Sequence, residues 1–256
     1  MGRLTLPAAL PLSRLLTTGA LATLAAIAWA VTAIRMDGMD GGPGTDLGTL
    51  GFFVTTWVVM MAAMMFPSIA PMVAMYRAMQ RARGATACFV AGYLVTWTTA
   101  GLAAYALVEA LQGTVSWDGG GRWVAAGILV AAAAYELTPL KARCLTHCRS
   151  PLAFVMGHWR EGRSGALRMG VEHGAWCLGC CWALMAGLFA LGVMSVAWMV
   201  LIALLIAVEK LLPWRTAATA AVTLTLLALA IGVAASPDSV PALTVPGGDD
   251  AMMMEP

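Results

Sequence analysis

The chain has 256 residues, of which 61% are hydrophobic and only 11% charged, against about 25% charged residues in soluble domains. That balance excludes an ordinary water-soluble domain and makes a lipid bilayer the natural solvent. The formal net charge of +2 is uninformative as a total; its placement along the chain is what matters.

Seven apolar stretches read as membrane helices, at about 15–34, 50–76, 85–111, 122–139, 168–193, 196–212 and 215–235. Each is close to the ~20 residues that a helix needs to cross about 30 Å of hydrocarbon. Long apolar runs without strict alternation favour helices over a barrel. The expected fold is therefore all-α. It is a polytopic bundle of about seven transmembrane helices, one domain over residues 1–235, followed by a flexible acidic tail at 236–256.

The first stretch follows Arg3 and Arg14 and reaches Ala28, Trp29 and Ala30. That order also suits a signal peptide, but the apolar run is longer than a usual signal core, which favours a retained helix. The loop after it, "MDGMDGGPGTD", carries Met36 and Met39.

The second stretch contains "WVVMMAAMMFPSIAPMVAMY", with six methionines in Trp57 to Tyr76. Met60 pairs with Met64, and Met61 with Met65, at i,i+4 spacing. Thioethers are uncharged ligands that select Cu(I). These four residues are candidates to line a metal route without burying charge. Methionine is also an ordinary apolar filler. Pro67 and Pro71 each remove a helical hydrogen bond and can open the local backbone. The third stretch carries Cys88, which reads as a small hydrophobe.

The fourth stretch leads into "YELTPLKARCLTHC", and the fifth contains "VEHGAWCLGCCW". They supply Cys144, His147 and Cys148, then His173, Cys177, Cys180 and Cys181. At about 100° per residue, the second set falls within a helical arc of roughly 100°. If 144–148 is helical, the first set also shares a face. Thiolate and imidazole suit Cu(I) and Zn(II), although the spacing is not that of a zinc finger. Small residues such as Gly174 and Gly179 fit helix packing as well.

Glu136, Glu172 and Glu209 lie near ends of apolar runs, where a charge is costly and pairing is expected. The sequence offers Glu136 with Lys141 and Glu209 with Lys210. The intervening "PLAFVMGHWREGRSGALRMG" reads as an amphipathic interfacial helix, with His158 on its surface.

Lysine and arginine supply the topology. Arg3, Arg14, Arg77, Arg81, Arg83, Lys141, Arg143, Arg149, Arg160, Arg163, Arg168, Lys210 and Arg215 fall on one side of the seven-span arrangement. Only Arg35 and Arg122 fall on the other. The positive-inside bias then puts the N-terminus in the cytoplasm and the C-terminus outside. Both cysteine groups lie on the cytoplasmic side, where thiols stay reduced and structural disulfides are disfavoured. The basic residues track topology and give no sign of nucleic-acid binding.

The segments "WVVMMAAMMFPSIAPMV", "YELTPLKARCLTHCRSPLAF", "GALRMGVEHGAWCLGCCWALM" and "VEKLLP" resemble a bacterial family of uncharacterised, predicted metal-binding integral membrane proteins. The resemblance covers about residues 50–213. It implies a multi-pass protein of the bacterial inner (cytoplasmic) membrane that binds metal, and it supplies no reaction.

The sequence thus points to a thiophilic metal, copper first, with zinc or another soft ion as the alternative. The expected role is transport or handling rather than catalysis. Cys144, Cys148, Cys177 and Cys180 are the expected primary thiolates. His147, His173 and Cys181 complete the set, and Met60, Met61, Met64 and Met65 form the route. The expected partners are the metal ion, the lipid bilayer and a membrane or soluble metal carrier. A second class is a membrane thiol-disulfide oxidoreductase using the CxxC pair Cys177 and Cys180. Vicinal Cys180 and Cys181 also suit mercury.

Overall fold

The computed structural model describes residues 12–37, 47–80, 82–111 and 120–235. The regular elements among them are all helices. In chain order they are α1 (Leu12–Met36), α2 (Leu50–Met79), α3 (Ala85–Leu111), α4 (Gly121–Glu136), α5 (Pro139–Arg149), α6 (Pro151–His158), α7 (Gly162–Leu191), α8 (Val196–Leu211) and α9 (Arg215–Ala235). Met39, the tail methionines and the acidic tail at 236–256 lie outside the described residues.

Five of these helices, α1, α2, α3, α7 and α9, are long and apolar enough to cross a membrane. The pair α4 and α5 makes a sixth if it is one span, bent by 68° at its break. Helix α8 has 16 residues, about 24 Å at 1.5 Å per residue. That is short of the ~30 Å hydrocarbon core.

Two helices form the centre. In α2 and α7 the most apolar window is 61% buried, against 28–33% in α1, α3 and α9. The outer helices turn large apolar side chains outward, among them Ile34, Leu107, Leu224 and Ile231. Outward-facing aliphatic surface suits lipid as solvent.

Helix α2 runs unbroken through Pro67 and Pro71. Thr49 caps its start by accepting the Phe52 N–H at 3.4 Å. The expected interfacial helix over 151–170 is instead split. Pro151 starts α6 at its first turn, where a missing N–H costs nothing. The chain then breaks at Trp159 to Glu161, and α7 begins at Gly162 rather than near 168. Phe154 and Val155 of α6 point into the core.

Glycine allows α3 and α7 to meet at backbone distance. A Cβ at Gly170 would collide with the Phe89 carbonyl, and one at Gly92 with the Leu167 carbonyl. Small residues at such crossings let helices pack without a water-driven force. Thr96 Oγ1 donates across the same seam to Val171 O at 3.2 Å. The Trp57 indole N–H donates to Trp97 O at 2.8 Å and ties α2 to α3.

This packing predicts opposite outcomes for two glycines. Gly170→Ala should destabilise by about 1–3 kcal/mol through overpacking. Gly127→Ala meets open space and should be neutral or stabilising, because alanine is the better helix former. Thermal unfolding in detergent checks both; equal effects would contradict the α3–α7 contact.

Candidate metal centre

The site begins with a helix break. Helix α4 stops at Glu136, and Thr138 adopts an extended conformation with φ −78° and ψ 147°. Its hydroxyl accepts the Lys141 N–H at 3.3 Å, and Pro139 opens α5 at the first turn. Capping hydroxyl and first-turn proline are both signals for starting a new helix. The 68° bend sends α5 back across α7, carrying Cys144, His147 and Cys148 with it.

Lys141 fixes the direction of that bend. Its ammonium donates to Glu136 Oε2 and, at 2.6 Å, to Glu209 Oε2 of α8. All three residues are at most 3% exposed. Glu136 Oε1 and Glu209 Oε1 have no hydrogen-bond partner. The expected pairing of Glu136 with Lys141 is present, but Glu209 turns to Lys141 rather than to its neighbour Lys210. Arg149 Nη1 donates to Glu209 O at 2.9 Å, and its other terminal nitrogen to Leu212 O. The end of α8 is thereby capped by a cation from α5.

With α5 held there, Cys148 Sγ lies 3.6 Å from Cys180 Sγ of α7. The sulfurs of Cys148, Cys177 and Cys180 all lie within 4.8 Å of one another. Cys180 donates to Cys177 O at 3.1 Å, and its sulfur is 3.3 Å from that of Cys181. Cys177, Cys180 and Cys181 are sealed from solvent, while Cys148 is half-buried and forms the accessible edge.

Two further helices supply polar groups to Cys177, and a third holds one of them. Lys210 Nζ of α8 donates to Cys177 Sγ at 2.9 Å and to Ser68 Oγ of α2 at 3.4 Å. The Tyr93 hydroxyl of α3 is 3.0 Å from the same sulfur. Lys210, Tyr93 and Ser68 were not among the sequence candidates. The available signal was a lysine at the end of the apolar run 196–212.

The other candidates have other partners. Cys144 Sγ packs against Gly179, where a Cβ would approach it to 2.7 Å. His147 stacks flat on Trp176 at 4.0 Å between ring centroids, its Nδ1 2.9 Å from Arg143 O. His173 is buried against the rings of Phe89, Tyr93 and Phe154, and its Nδ1 has no partner. Met60, Met61, Met64 and Met65 are all at most 3% exposed within α2. Glu172 pairs with Arg160 and Arg168 at 3.1 and 3.4 Å. Cys88 stays apart as a free, half-buried thiol.

A family model described as "PpoB2: Copper chaperone" matches residues 54–233. The chain belongs to this copper chaperone family. The matched span takes in the α2 methionines, both cysteine segments, and Glu209 and Lys210. No curated protein and no solved structure matches the chain. The family and the sulfur cluster together support metal handling.

The Lys141 contact predicts a stability effect. Lys141→Met leaves two buried carboxylates without their cation and should cost about 3–5 kcal/mol. Adding Glu136→Gln and Glu209→Gln should recover much of it, because neutral amides need no counter-charge. Unfolding midpoints of the single and triple variants give the answer. A neutral Lys141→Met would contradict the contact.

Proposed function

We propose that this copper chaperone family member is a multi-pass membrane carrier of Cu(I), with Cys148, Cys177 and Cys180 as primary ligands and Cys181 beside them. The observation that carries the reading is the meeting of three sulfurs from two helices within 4.8 Å. Thiolates suit soft and borderline metals, Cu(I) and Zn(II) among them. His147 and His173 are packed against aromatic rings, and the family match favours copper over zinc.

Charge supports the same cargo. Three thiolates around Cu(I) leave two negative charges, and Lys210 beside Cys177 offsets one of them. Lowering the net charge lowers the cost of burying the assembly in a low-dielectric interior. The half-buried edge at Cys148 gives a partner carrier a point at which thiolate exchange can begin. Cys144, His147 and His173 then act by positioning α5 and α7.

Transport extends this reading. Met60, Met61, Met64 and Met65 would pass Cu(I) along α2, and a seven-span arrangement, in which the 16-residue α8 crosses as a short span through a locally thinned bilayer, would place the thiols on the cytoplasmic face of the bacterial inner membrane. The Lys/Arg distribution supports that orientation. The thiol-oxidoreductase reading is disfavoured by burial, since sealed Cys177 and Cys180 cannot meet a protein disulfide.

Anaerobic reduced protein should hold copper tightly. Cys177→Ser with Cys180→Ser should remove most of it, while Cys88→Ser should retain it. Copper retained by the double variant would move the site. Reporter fusions after Arg83 and after Ser236 should report opposite sides; the same side from both would overturn the topology.

A further inference from the structure

We propose a second Cu(I) site made of three thioethers, Met36, Met60 and Met194, at the end of α2 remote from the thiols. It rests on the copper reading above and adds the position at which the ion enters.

Met36 is the last residue of α1, Met60 lies in α2, and Met194 lies in the turn between α7 and α8. Gly192 makes that turn possible: with φ +115° it ends α7 in a conformation suited to glycine. The chain then folds inward, so that Val193 and Met194 are 5% and 3% exposed. The three methionines, from three separate elements, line one cavity with Phe53, Trp57 and Val193. Its volume is about 10 Å³, close to that of a single water-sized sphere. Such a space admits a bare ion and no larger solute.

The ligand chemistry narrows the ion further. Neutral thioethers cannot offset the desolvation of a divalent cation, and they select Cu(I). Trp57 adds an aromatic wall, and aromatic rings attract cations. Arg35 hydrogen-bonds Thr55 and Thr56 at 3.2 and 3.4 Å, and Thr56 also lines the cavity. A nearby positive charge weakens cation affinity, so the site binds more loosely than the thiols. Loose binding is what an entry site needs if it is to release its ion onward.

A geometric link joins the two sites. Met60, Met64 and Ser68 are spaced i, i+4 and i+8, and so share one face of α2. Ser68 already faces Lys210, which holds Cys177. Eight residues of helix span about 12 Å. Met64, buried between the two ends, divides that distance into two short steps.

The test is an anaerobic Cu(I) titration of the full chain in detergent, with helicity and elution checked for every variant. The unmodified chain should bind two equivalents, the second more weakly. Met36→Leu, Met60→Leu and Met194→Leu together should bind one, because leucine keeps the volume and removes the sulfur. Met169→Leu, in α7 away from the cavity, should still bind two. A chain without the thiols, carrying Cys148→Ser, Cys177→Ser, Cys180→Ser and Cys181→Ser, should retain the weak equivalent alone. One equivalent in both the unmodified and the triple-leucine chain would overturn the second site and leave the thiol site standing. No binding by the unmodified chain would overturn the copper reading itself.

Discussion

Everything at the thiol centre depends on one lysine between two glutamates. Lys141 sits on the short helix α5, Glu136 ends α4, and Glu209 is near the end of α8. Five of the helices are apolar enough to cross a membrane, and in lipid there is little water-driven force to choose between helix arrangements. A buried ionic contact chooses strongly, because breaking it strands charges in a medium that cannot solvate them. Pinning α5 at this point sets the height and rotation of Cys148 against α7. The sulfur cluster is a consequence of that placement.

The centre also carries its own counter-charge. Lys210 follows Glu209 directly in the chain, yet the two face different partners: Glu209 the Lys141 ammonium and Lys210 the Cys177 sulfur. Adjacent residues on a helix point about 100° apart, so one turn at the end of α8 serves two neighbouring sites. Tyr93 and Ser68 complete the surroundings from α3 and α2. A metal ion bound at the three sulfurs would meet a counter-charge already in place, with Cys148 at the accessible edge.

Much of this was legible in the residues. Hydropathy identified an all-helical chain, and helical phasing put Cys177, Cys180 and Cys181 on one face. The Glu136–Lys141 pair was readable from its local spacing. What was not legible depended on tertiary placement. Cys148 and Cys144 share a face of α5, but only Cys148 reaches the sulfur group; Cys144 is taken up by the close approach to Gly179. His147 and His173 carry ligand chemistry, yet aromatic neighbours from other elements claim their rings. The split of 151–170 into α6 and an earlier α7 turns on Pro151 and Gly162, local signals that the apolar pattern overrode. Glu209 and Lys210 look like a natural pair in sequence, and only the position of α5 separates them.

The most direct test of the account is X-ray absorption at the copper edge on the full chain loaded with one equivalent of Cu(I). A centre made by Cys148, Cys177 and Cys180 predicts a ligand shell of sulfur alone, unchanged by His147→Ala or His173→Ala. The multiple-scattering signature of imidazole, lost in either histidine variant, would contradict it and return the site to a mixed cysteine and histidine set.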